Sequence, residues 1–223
     1  MLAQVATAAA ALSLSVAGYG VLSPRSQLFG RQLWRLEGAG RTCALTFDDG
    51  PQEPHTSRLL DMLAAEGVAA TFFVLGRQVE RHPQLLERLR REGHEVAVHG
   101  YSHAVFPLLG AARMAEEIDR TLALVGGARL LRPPYGWKDG RLFRLAGERA
   151  LTVVGWSAQG RDWGGGSAQA IASRILKRIG PGAIVLLHDG CGEEPGRDRS
   201  RSVAAAEILI GELRRQGFRF VRL

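Results

Sequence analysis

Beyond a charge-free start, apolar positions follow two alternating patterns along this chain. Short unbroken apolar runs are separated by stretches in which apolar residues recur every three or four positions. The runs predict strands at "CALTF" (43–47), "ATFFVLG" (70–76), "HEVAVH" (94–99), "ARLLR" (128–132), "LTVVGWS" (151–157), "AIVLLH" (183–188) and "FRFVRL" (218–223). The helical pattern falls on 55–67, 83–93, 112–126, 140–150, 168–180 and 202–217. Leu59, Leu60 and Leu63 share one face of the first helix, which Gly67 stops. Pro83 opens the second helix and Gly93 closes it.

Strands with helices between them predict a parallel sheet. Several strands are apolar throughout, as strands buried on both faces are. An open doubly wound sheet or a closed barrel meets that description. The expected organisation is a linker over 25–41 and one domain over 42–223. A chain of 223 residues can bury a core of that size.

The start differs in kind. No charge occurs between Leu2 and Leu22, and residues 1–24 read as a membrane anchor or signal segment, long enough to cross a bilayer. That reading makes the protein membrane-associated or resident in the cell envelope. Arg25, Arg31 and Arg35 follow the segment, and the positive-inside tendency would then hold the domain on the cytoplasmic side. A leader missing from this start would reverse that orientation.

Composition adds exclusions. The net charge is +7, from 29 Lys and Arg against 22 Asp and Glu. The arginines are scattered through helical stretches without interleaved aromatics, so a solvated surface is expected and no nucleic-acid groove. Cys43 and Cys191 form no disulfide framework. Both are expected to pack as small hydrophobes, Cys191 near the residues that follow "AIVLLH". The Gly164–Gly166 run lacks the lysine of a phosphate loop.

The chemistry-bearing residues collect just after strands. Asp48 and Asp49 follow "CALTF", His99 and His103 follow "EVAV", and Arg132 and Tyr135 follow "RLL". Asp162 and Trp163 come after "LTVVGWS", and His188 and Asp189 after "AIVLL". Barrels and open parallel sheets build active sites at that edge. His99 and His103 stand four apart, a spacing that turns both imidazoles to one side and suits one metal ion. A carboxylate is the usual third ligand, and one aspartate of the 48/49 pair would supply it. The other aspartate would serve as base, paired with Arg132. His188 would act as general acid, held in its charged form by Asp162.

These residues resemble the motifs of the polysaccharide deacetylase family, the carbohydrate esterases with a NodB homology domain. The resemblance rests on "TFDDGP", "HGYSH", "RPPY", "QGRDW" and "LLH", in that order from Ala44 onward, and looks most like chitooligosaccharide deacetylases. It implies a distorted (β/α) barrel of about seven parallel strands. It implies Asp48 as catalytic base and Asp49, His99 and His103 as ligands of one divalent metal, with zinc first and cobalt or nickel as options. Arg132 would steer the base, and the Tyr135 amide would bind an oxyanion. Asp162 would orient His188 as the acid, while Trp163 and Leu186 would line the acetyl pocket. The implied reaction removes N-acetyl groups from GlcNAc-containing glycans and releases acetate. The implied partner is that glycan, acted on by a monomer.

Two positions depart from the family pattern. Gly100 stands where Ser or Thr usually braces the loop, and Gln159 where Asp usually opens the fourth motif. They are the support for the alternative of a catalytically weak glycan-binding homologue. A dehalogenase-type phosphatase is disfavoured, because that chemistry needs Asp-x-Asp and would leave the histidine pair idle. His55, His82 and His94 are expected to be exposed or to cap helices. Trp34 and Trp137 could line a sugar groove, and Trp156 is expected in the core.

Overall fold

β1 (Thr42–Asp48) is the hub of the sheet and is buried along its whole length. The computed structural model describes residues 15–192 and 197–223. β2 (Thr71–Val74), β3 (Glu95–Val98), β4 (Leu130–Leu131) and β5 (Thr152–Val153) follow outward from one side of β1. β7 (Ala183–His188) and then β6 (Ala158–Gln159) lie on the other side, and β8 (Arg219–Phe220) pairs with the start of β1. All these ladders are parallel. The curled sheet, with helices around it, is the distorted barrel implied by the sequence.

The helices are α1 (His55–Ala65), α2 (Gly76–Arg81), α3 (Pro83–Arg91), α4 (Ala111–Val125), α5 (Gly140–Glu148), α6 (Ala168–Leu176) and α7 (Ser200–Arg215). α2 was not expected, and of "LTVVGWS" only Thr152–Val153 forms a strand, with the next short strand, β6, starting just after the run. The run breaks at Gly155, where a Cβ would meet the Pro24 carbonyl at 2.1 Å. The chain then passes from one end of the sheet order to the other.

Strand alternation sorts the side chains. Cys43, Leu45, Phe47, Val185 and Leu187 join the main core. Phe73, Ala97, Leu130, Ile184 and Leu186 form a second, inner cluster with Val154 and Trp156. The same inward alternation continues to Asp48 at the end of β1 and His188 at the end of β7. These two are register partners. A polar layer therefore caps the inner cluster at the C-terminal edge.

The stretch read as a linker, residues 25–41, is hydrogen-bonded to the sheet. Leu33 donates to the Val153 carbonyl at 2.8 Å and accepts from the Gly155 amide at 2.8 Å. Arg35 bridges to Ala183 in antiparallel sense, and Leu36 donates to the Gly182 carbonyl. This strap lies between β5 and β7, where the sheet does not close.

The membrane expectation needs correction. Of the charge-free segment, residues 2–14 lie outside the described residues. Residues 15–22 are helical, and among the described residues no helix is long and apolar enough to cross a membrane. The end of the 15–22 helix is also engaged with the domain, since the Val21 carbonyl accepts from the Lys138 amide.

Candidate active site

Each chemistry-bearing side chain is set by a strand end or the loop after it. The turn after β1 puts Asp49 at φ 76°, a left-handed conformation that costs a non-glycine residue about 1–2 kcal/mol. His103 (φ 70°) and Tyr135 (φ 61°) share that strain. Such strain concentrates at functional sites.

The two adjacent carboxylates have different partners. Asp49 Oδ1 lies 3.1 Å from His103 Nε2 and 3.4 Å from His99 Nε2. Asp48 Oδ1 accepts from Arg132 Nη1 at 2.7 Å, and its Oδ2 lies 3.7 Å from His99 Nε2. Arg132 is wholly buried and also donates to the Thr46 hydroxyl and the Gly155 carbonyl. The Thr46 hydroxyl is aligned by its own bond to the Val185 carbonyl. Burial pulls the Arg132 pKa below its ordinary value, against the pull of Asp48.

His99 Nδ1 lies 2.7 Å from the Arg132 carbonyl. A carbonyl only accepts, so Nδ1 carries the proton and Nε2 keeps a lone pair. Ligand atoms of Asp49, His99 and His103 all lie within 4.8 Å of one another. Asp49 Oδ1 is buried without a hydrogen-bond partner. Acceptors gathered around a buried orphan oxygen suit a cation, and two imidazoles with one carboxylate are a zinc-type donor set. The residues present fit a divalent metal. Burial works to raise the Asp49 pKa, but His103 and His99 outweigh it and hold the carboxyl well below the usual carboxylate range.

His188 faces this trio from β7. Its Nδ1 lies 3.0 Å from Asp162 Oδ1, while Asp162 Oδ2 accepts the His188 amide and the Ser202 hydroxyl. Burial opposes the charged imidazole. Asp162, then Asp49 and Asp48, overcome that and lift the His188 pKa to about 9. Trp163 meets the His188 ring edge-on at 5.3 Å. Tyr135 lies 4.6 Å from the His103 ring, and Trp137 5.9 Å from Tyr135. Asp48, Asp49, His99, His103, Tyr135, Trp163, Leu186 and His188 line one cleft of about 540 Å³. Arg132 and Asp162 stand behind it as partners of Asp48 and His188.

The chain belongs to the polysaccharide deacetylase family. The family's sequence profile matches residues 36–154. A peptidoglycan-N-acetylglucosamine deacetylase of Bacillus cereus is 34% identical over 198 residues, covering 84% of this chain and 89% of the relative. A chitooligosaccharide deacetylase of Sinorhizobium fredii is 39% identical over 186 residues, covering 78% and 86%. A crystal structure of a peptidoglycan N-acetylglucosamine deacetylase superposes with a TM-score of 0.81 at 33% identity, covering 86% of this chain and 90% of the other. Membership makes this polysaccharide deacetylase a hydrolase of the N-deacetylase class.

At one departure from the family pattern the structure shows a bracing residue that sequence reasoning missed. Gly100 has φ +84°, and a Cβ there would press on Phe106 at 3.2 Å. The loop between His99 and His103 is held by Glu117 of α4, which accepts from the Tyr101 amide (2.9 Å), the Ser102 amide (2.7 Å) and the Ser102 hydroxyl (2.8 Å). The signal was present: Glu117 interrupts a buried face of Met114, Ile118, Thr121 and Val125. At the other departure, Gln159 lines the cleft with its Oε1 buried and unpartnered.

Several expectations about other residues change. His55 and His94 are buried rather than exposed or capping, and they accept from the Arg199 and Ala70 amides. Burial holds both imidazoles below the ordinary histidine value. Cys43 is fully buried, which pushes its thiol up to about 12. Cys191 is buried at the cleft wall, its thiol donating to the Arg197 carbonyl.

Proposed function

We propose that the protein hydrolyses the N-acetyl amide of GlcNAc-containing glycans, using one divalent metal held by Asp49, His99 and His103. The observation that carries this reading is the division of the adjacent carboxylates. Asp49 is committed to the histidine pair and Asp48 to Arg132, with the His188–Asp162 pair across the same cleft. Zinc suits two imidazoles and a carboxylate best, with cobalt and nickel as alternatives. When bound, the cation supplies Lewis acidity to the acetyl carbonyl and acidifies water.

The chain's own residues do the rest. Asp48 Oδ1 is engaged by Arg132, so Oδ2 accepts the proton of the attacking water. The water oxygen bonds to the acyl carbon, and the Tyr135 main-chain amide stabilises the oxyanion that forms. His188, protonated at neutral pH, donates its proton to the departing nitrogen as the C–N bond breaks. Acetate and a free amine leave. Trp163 and Leu186 wall the acetyl methyl group, and Asp162 keeps the His188 ring aligned.

The reading is supported by relatives whose names specify peptidoglycan and chitooligosaccharide substrates. Acetate release from GlcNAc oligomers and peptidoglycan, with chelator and with zinc restored, tests it. Chelation should abolish release and zinc recover it. Absence of acetate from every N-acetylated glycan overturns the reading.

A further inference from the structure

The family profile begins at residue 36, yet the strap continues N-terminally through residues 21–24 and there reaches the catalytic cleft. Leu22 and Pro24 line that cleft together with Asp48, Tyr135, Trp137, Trp156 and His188. The strap is clasped to the loop carrying Tyr135 and Trp137. Lys138, only 1% exposed, donates from Nζ to the Ser23 carbonyl at 2.5 Å and from its amide to the Val21 carbonyl. Arg25 adds a bond from Nη2 to the carbonyl of Ser157, the residue after Trp156, at 2.6 Å. A lysine buried this deeply is expensive to desolvate, and burial pulls its pKa down to about 8. Its position is explained by the clasp, which fixes residues 21–23 to Lys138, the residue after Trp137.

The strap leaves an apolar lip at the cleft. Leu22 is 52% exposed and Trp137 37%, and both line the cleft with the exposed Tyr135. The ring contacts run outward from the metal trio: His103 to Tyr135 at 4.6 Å, then Tyr135 to Trp137 at 5.9 Å. Trp137 thus lies one aromatic step beyond Tyr135, and Leu22 lines the same cleft. Aromatic and aliphatic faces of this kind suit the C–H face of a pyranose, whose hydroxyls can stay in water at the open edge.

We propose that the N-terminal strap completes a sugar subsite, in which Leu22 and Trp137 hold the pyranose next to the one being deacetylated. The inference rests on the deacetylase reading and narrows its substrate class to oligomers over single sugars. Lys138 acts as a positioning residue that keeps the strap seated.

The test compares kcat/KM for acetate release from the GlcNAc tetramer and from single GlcNAc in wild type, Leu22→Ala and Lys138→Met. Binding of the tetramer to each protein is followed by tryptophan fluorescence. Wild type should prefer the tetramer, and Leu22→Ala should lower that tetramer-to-monomer ratio about tenfold, the order one apolar contact supplies. Tetramer affinity should fall by a similar factor. Lys138→Met should lower the ratio in the same direction; if it does not fold, Leu22→Ala carries the test alone. An unchanged ratio and unchanged tetramer affinity in Leu22→Ala overturn the subsite. If wild type releases acetate from neither of these nor from peptidoglycan, the deacetylase reading fails instead, and the subsite is then decided by tetramer affinity.

Discussion

His99 Nδ1 donates to the main-chain carbonyl of Arg132 across 2.7 Å, and the same arginine's guanidinium holds Asp48. The sheet register produces this link. Val98 of β3 pairs with Leu131 of β4, so the next residues on the two strands are His99 and Arg132. One residue thereby sets the tautomer of a proposed metal ligand and the position of the proposed base. Hydrogen bonds to the outer nitrogen of a ligating imidazole tune metal sites in this way.

Asp48→Asn should lower kcat at least about 100-fold, since it removes the proton acceptor. Metal content should stay near that of wild type, because Asp49, His99 and His103 are untouched. The substitution also strips the buried Arg132 of its counter-charge, at a cost of about 3–5 kcal/mol, so Tm should fall. Steady-state kinetics with elemental analysis checks this. Near-normal kcat would remove Asp48 from the base role.

The His188–Asp162 pair predicts an alkaline limit to activity. The folded pKa of His188 is raised from 6.5 to about 9, so its proton is present below that range and lost as pH rises through it. The stability contributed by the pair is complete below 6.5 and disappears above about 9. Asp49 and Asp48 share in the shift, and a cation beside them cancels part of their share. The kcat limb of the metal-loaded enzyme should therefore lie between those values. Asp162→Asn should move the limb toward 6.5 and lower kcat. A pH profile with an unmoved limb would contradict the pairing.

Glu117 should matter for metal without touching it. Glu117→Ala leaves two half-buried main-chain amides and a hydroxyl without their acceptor, each costing about 1 kcal/mol. The loop that carries His103 should loosen and zinc affinity fall about 10- to 100-fold. Glu117→Gln, which keeps one acceptor oxygen, should fall between Ala and wild type. Calorimetric zinc titration of the three proteins orders them. Equal affinities would show that the loop holds its shape unaided.

Much of this arrangement was legible in the sequence because strand ends leave strong marks. "CALTF", "EVAV" and "AIVLL" are apolar runs followed directly by Asp48, His99 and His188, and strand alternation turns all three inward. What escaped depends on distant parts of the chain. Gly155 splits an apolar run because the Pro24 carbonyl, far away in sequence, occupies the space beside it. Ser202 looks like a helix-start residue until α7 brings it to Asp162. The strap, residues 25–41, carries few apolar repeats, since it is held to the sheet largely by main-chain hydrogen bonds. The membrane reading rested on a charge-free stretch, which reports what a segment lacks; among the described residues no helix is long and apolar enough to cross a membrane.

The central claim is one cation shared by Asp49, His99 and His103, with Asp48 left outside. Anomalous diffraction from zinc-soaked crystals measures it directly. The account predicts a single strong peak about 2.0–2.2 Å from both Nε2 atoms and an Asp49 carboxylate oxygen, with Asp48 still on Arg132. No peak among these three residues, or one ligated by Asp48 in place of Asp49, would contradict it.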